Sequence, residues 1–115
     1  MIDISKVQTV TADEQASLGA DSPQGKVVID LLDKTIMKAA QAGRDSATIT
    51  IHSKGTELIV AYDAVVEVDI DSMYLVPLSS NIKQEYVNEG YVATGAYSAD
   101  YTNYYLTVSW GKAPA

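Results

Sequence analysis

The feature that most limits the fold is a change of period in the middle of the chain. Ser22-Pro23 opens a segment in which Val28, Leu31, Leu32, Thr35, Ala39 and Ala42 recur at helical spacing, with Asp30, Asp33, Lys34, Lys38 and Gln41 placed mostly outward. Proline suits a first helical position because its missing N–H would have had no partner there, and Gly43 supplies a left-handed stop. Only a few residues later Ala47, Ile49 and Ile51 alternate with Thr48, Thr50 and His52, the pattern of a strand with one buried face. A helix that stops and turns at once into a strand commits the chain to mixed secondary structure.

The same reading predicts a turn at Lys54-Gly55-Thr56, strands over 57–62 and 65–70 joined at Asp63-Ala64, and a second helix from Pro77 to Glu89. Leu78, Ile82 and Tyr86 form the inward row of that helix, and Gly90 closes it. Two last strands, 91–97 and 103–110, flank a hairpin turn over 98–102. At the other end, residues 2–10 suit an edge strand or an extended arm, and Thr11-Ala12-Asp13-Glu14 fits a capping box ahead of a short helix to about Leu18. The expectation is an α+β fold: an antiparallel or mixed sheet with two principal helices packed on one face, preceded by a short N-terminal arm and helix. Residues 1–22 form that arm, and residues 23–115 form one domain.

Charge and composition exclude several classes of function. A formal charge of −7 repels a phosphate backbone, and the basic residues are scattered, so nucleic acid is not an expected partner. The chain has no cysteine, which removes disulfides and thiolate chemistry. No apolar run is long enough for a membrane helix, and the first residues do not read as a signal peptide. No nucleotide-binding motif is present, because Gly25-Lys26 lacks the upstream glycine and the hydroxyl residue of a phosphate loop. Ser79 and Ser80 follow Pro77, where hydroxyls cap helices more often than they attack substrates. No cofactor is implied.

His52 is the single histidine and reads as a polar residue at a strand end, with no base partner or metal ligands near it in sequence. Glu67, Asp69 and Asp71 share one face of the predicted strand over 65–70, with Asp63 upstream. Their spacing does not match a calcium loop, and a solvated or aggregation-resistant edge is the simpler reading. The tyrosines of "YSADYTNYY" are more informative. Residues 91–111 hold one acid and no base, so the rings lack the positive groove that base stacking uses. Tyr104 belongs with Leu106, Val108 and Trp110 on a core face. Tyr101 and Tyr105, with Tyr97, are the candidates for contact with a protein partner.

The motifs also carry a resemblance. A Thr11-Ala12-x-Glu14 opening, a helix closing on Ala39-Ala40-x-x-Gly43, a helix closing on Gly90-Tyr91 and a last strand ending Ser109-Trp110 together resemble a broad group of small tailed-bacteriophage proteins, most of them uncharacterised. The likeness runs from about Thr11 to Gly111. It departs from the group's pattern at Gln15 and in the longer stretch from Lys54 to Met73.

The resemblance implies a phage setting and carries over no catalytic residues. The expected function is therefore a non-enzymatic one exercised by protein–protein contact, as an accessory virion component of decoration, cement or neck type. The partners would be other phage structural proteins or further copies of the chain, in the virion or the host cytoplasm. The alternative is an early phage protein that sequesters a host factor or a small signalling ligand.

Overall fold

The computed structural model describes residues 19, 21–60 and 62–111. The strand or arm expected over 2–10 and the short helix after Thr11 lie outside the described residues. Within them the order is α1 (Pro23–Gln41), β1 (Ser46–Ser53), β2 (Ala64–Val68), a 3-10 turn (Ser72–Tyr74), α2 (Leu75–Asn88), β3 (Val92–Tyr97) and β4 (Asn103–Ser109). The strands form one mixed sheet in the order β2-β1-β4-β3, with β1 and β2 parallel and the other pairs antiparallel. The fold is α+β, as the sequence pattern indicates.

Both helices begin and end by identifiable chemistry. The Ser22 hydroxyl accepts from the Gly25 N–H at 3.0 Å and donates to the Gly19 carbonyl at 2.7 Å, which caps α1 one residue before Pro23. Its far end is a Schellman turn: Arg44 N–H reaches the Ala39 carbonyl and Gly43 N–H the Ala40 carbonyl, with Gly43 at φ 81°. α2 repeats the device, with Tyr91 N–H on the Tyr86 carbonyl, Gly90 N–H on the Val87 carbonyl and Gly90 at φ 100°. The hydrophobic contact that accompanies such a turn is the edge-to-face pair Tyr86–Tyr91, 5.5 Å between centroids. Two of the sequence motifs are thus helix-stop signals.

One face of the sheet carries the core. Ile49 and Ile51 of β1, Val66 and Val68 of β2, and Tyr104, Leu106 and Val108 of β4 meet Val28 and Leu32 of α1 and Leu75, Leu78 and Ile82 of α2. α1 lies over β1 and β2, and α2 over β3 and β4. Tyr86 is buried in this layer and donates its hydroxyl to the Asp33 carboxylate at 2.7 Å, joining the two helices. Burial, with Asp33 adding to it, pushes its phenol well above the ordinary tyrosine range. Trp110 is half-buried and packs edge-on against Tyr91.

The second face is built of small and hydroxylated residues. Thr48, Thr50 and His52 of β1 stand beside Thr107, Tyr105 and Asn103 of β4 in register, and Thr94 and Ala96 of β3 continue the rows. Thr48 and Thr107 join their hydroxyls at 2.7 Å. Every residue of β1 after Ser46 is buried, so this strand is covered on both faces.

The structure differs from the sequence expectation between β1 and β2. Residues 57–60 are not a strand of the sheet; they belong to a crossover that carries the chain from the end of β1 back to the start of a parallel β2. A hairpin strand over 57–62 would need the edge of β1 that Ala64–Val68 occupies, and Ala64–Val68 fills it while turning Val66 and Val68 into the core. The second helix also starts earlier than Pro77, at Leu75, because Leu75 is a fully buried core residue and Pro77 is tolerated in the first turn.

Asp63 fixes where β2 begins. Its N–H donates to the Thr48 carbonyl at 3.0 Å, and its carboxylate accepts from the Thr48 N–H at 2.9 Å and from Arg44 in a two-pronged contact at 2.6 and 3.1 Å. The Arg44 hydrogen bond is the main cause that holds this carboxyl below its ordinary value, with the Thr48 N–H helping and partial burial opposing. A lowered carboxyl contributes stability that is present above the ordinary carboxylate range and is lost as pH falls through the lowered value. Asp63→Asn should therefore melt a few degrees below wild type at neutral pH, with the gap closing in acid. An unchanged gap between pH 7 and strong acid, measured by thermal melts, would contradict this role.

Candidate interaction surface

The crossover is held by one side chain. Asn103, fully buried at the first position of β4, donates its amide to the Glu57 carbonyl at 2.9 Å and accepts the Ile59 N–H at 3.2 Å. Because the amide nitrogen is committed to Glu57 and to the Thr102 hydroxyl, the amide oxygen faces His52 Nδ1 at 3.1 Å. That nitrogen must carry a proton to donate. Nε2 then lies 3.6 Å from the Glu67 carboxylate, a neighbour created by the parallel pairing of His52 with Glu67. His52 is 3% exposed and links β1 to Asn103 of β4 and Glu67 of β2.

The acids read together in sequence separate in the fold. Glu67 points toward His52, Asp69 lies beyond the end of β2 and meets Lys54 at 3.5 Å, and Asp71 precedes the 3-10 turn. Asp63 is engaged by Arg44. Among the described residues no group of three or more potential ligands is placed to hold a metal ion.

The three tyrosines chosen for partner contact do not form one surface. Tyr97 is half-buried on the helix-facing side of β3, stacked obliquely on Tyr104 at 4.6 Å and on Tyr101 at 5.4 Å. Burial raises its phenol, while the Ser80 and Ser79 hydroxyls pull the other way. Tyr105 is half-buried on the opposite face, in register with Thr50 and Ala96. Of the three, Tyr101 alone stands well out of the protein, at 59% exposed.

Tyr101 also occupies the left-handed region, at φ 59°, where a side chain of this size costs about 1–2 kcal/mol. The turn imposes that conformation. The Asp100 carboxylate accepts from the Ser98 hydroxyl at 2.7 Å, the Thr102 hydroxyl at 2.8 Å and the Thr102 N–H at 3.2 Å, while the Ser98 hydroxyl accepts the Asn103 N–H at 3.1 Å. Those hydroxyl donors hold the Asp100 carboxyl below its usual range. The closed turn leaves position 101 at its apex.

Sequence reasoning missed a larger exposed feature. Leu58, Ile59 and Val60 in the crossover are 47%, 42% and 63% exposed, and Tyr62 is 80% exposed at φ 68°. Read as a strand, this stretch should have hidden alternate side chains. Its run of hydrophobic residues without a charge was the available signal.

Among the described residues, no helix is long and apolar enough to cross a membrane. Compared with protein-family models, with curated proteins and with solved structures, the chain has no significant match.

Proposed function

We propose that this chain is a non-enzymatic bacteriophage protein that acts by protein–protein contact, as an accessory virion component of decoration, cement or neck type. The observation that carries the contact reading is the exposed apolar crossover, Leu58, Ile59 and Val60 with Tyr62, anchored from below by Asn103. A monomer that worked alone would gain nothing from presenting such a strip to water, since exposed apolar runs mark sites of association. Tyr101 at the apex of its turn adds a second contact point, a large rigid ring held out at a cost in backbone strain. The phage setting comes from the resemblance of the helix-stop and strand-end motifs.

Mass spectrometry of purified particles should find the chain in many copies. Its absence from particles would sink the virion role and favour the sequestering alternative. Tyr101→Asn tests the apex, because asparagine tolerates the left-handed conformation that tyrosine is forced into. The variant should melt at or slightly above the wild-type temperature and bind particles about tenfold less tightly, a loss of about 1.4 kcal/mol. Full particle occupancy by the Tyr101→Asn variant would remove Tyr101 from the contact.

A further inference from the structure

We propose that the crossover segment 57–60 is a docking strand, and that its occupant is the same segment of a second copy of this chain, paired antiparallel about a twofold axis through Ile59. The inference rests on the contact reading above and names the partner. The Asn103 side-chain amide bonds the Glu57 carbonyl and the Ile59 N–H, which is how a residue of a parallel neighbouring strand would bond them. Glu57 and Ile59 therefore direct their backbone groups down onto the sheet.

In an extended chain the alternate residues direct theirs the other way. Leu58 and Val60 present N–H and C=O groups outward, and among the described residues no partner takes them. Side-chain exposure agrees with this orientation. A ribbon lying flat would bury every second residue, whereas Leu58, Ile59 and Val60 are all between 42% and 63% exposed, as expected of a strand standing on its edge. Such an edge is a template for strand addition.

The choice of a second copy follows from charge and pattern. Two chains of net charge −7 repel one another except where they are locally uncharged, and no hydrophobic run in the sequence is longer than 58–62. With the axis at Ile59, Leu58 of one copy pairs with Val60 of the other, so the outward N–H and C=O groups of both residues are satisfied in both copies. Glu57 comes opposite residue 61 and Asp63 opposite Gly55, so no acid faces an acid. Ile59 meets its own counterpart.

That last contact makes the register testable. In sedimentation velocity over a concentration series, the wild-type chain should approach twice its mass of 12.3 kDa. Ile59→Lys and Ile59→Glu should each keep the wild-type fold by circular dichroism and self-associate at least about tenfold more weakly, because like charges would face across the axis. An equimolar mixture of the two should recover the doubled mass. A wild-type chain that stays monomeric at every concentration, or single variants that stay dimeric, would overturn the proposal, and a mixture that stays monomeric would overturn the axis through Ile59. Particle association is read separately: dimers with no particle binding would discard the virion role and leave the strand pairing standing, and the converse result would discard the pairing alone.

Discussion

Asn103→Ala is expected to cost about 3 kcal/mol, a large share of the roughly 5–15 kcal/mol that holds a domain of this size together. The asparagine is fully buried and its amide is engaged by Glu57, Ile59, Thr102 and His52. Alanine leaves the Ile59 N–H, the Glu57 carbonyl and the His52 ring without this partner, and each unsatisfied buried group costs about 1–3 kcal/mol unless water reaches it. The loss should be local first. Amide exchange at Ile59 is expected to accelerate ahead of exchange in β4, since the crossover is tied down by a side chain and the strand by a ladder. Asn103→Asp is the sharper comparison: it keeps the shape and the acceptors, loses the amide donor to Glu57 and buries a charge, so it should be at least as damaging. Chemical denaturation that placed either variant within about 0.5 kcal/mol of wild type, the level of an ordinary surface substitution, would refute Asn103 as the anchor.

Gly95→Ala should destabilise by about 3 kcal/mol for a different reason. A methyl group at this position of β3 would overlap the phenol of Tyr104, which lies across the glycine from the adjacent strand. Tyr104 has little freedom to withdraw: it is 3% exposed, stacked on Tyr97, and its phenol is pushed up to about 12 by burial. Overpacking a settled core typically costs about 1–3 kcal/mol, and an immobile ring places this case at the upper end. The pairing is the aromatic cover of a strand glycine, in which a cross-strand ring replaces the missing side chain. The double variant Gly95→Ala with Tyr104→Leu should therefore lose less than the sum of the single losses. Strict additivity in a double-mutant cycle would show that the two residues do not compete for the same space.

The elements legible in sequence are those whose signals are local. α1 could be bounded from Ser22-Pro23 and Gly43, because cap and stop are made by residues within four positions of the helix ends. The terminal hairpin was legible for the same reason, since Ser98, Asp100 and Thr102 close their turn among themselves. The inward row Tyr104, Leu106, Val108 and Trp110 followed from strand alternation; the first three are buried and Trp110 is half-buried. The crossover was not legible. Its hydrophobic, β-branched composition has the propensity of a strand, and what keeps it out of the sheet is an amide about 45 positions away together with Asp63 on Thr48. The candidate site was correspondingly half visible: Tyr101 stands where a turn apex should, but Tyr97 and Tyr105 fall on opposite faces, and the apolar strip that leads the functional reading has the sequence pattern of a strand.

By itself, the sequence determined the limits of α1, the faces of β1 and β4, the α+β class and the absence of cysteine chemistry, all of which depend on period, capping and composition. Only the tertiary structure decided which strand takes the free edge of β1, and with that choice it decided where Leu58 to Val60 lie. Ala64–Val68 and residues 57–62 have similar strand propensity, so the competition between them is settled by contacts rather than by preference. The later segment wins because Val66 and Val68 reach the core while Asp63 locks onto Thr48 and Arg44. The earlier one is left outside the sheet, tied to Asn103 through the Glu57 carbonyl and the Ile59 N–H, with Leu58, Ile59 and Val60 exposed.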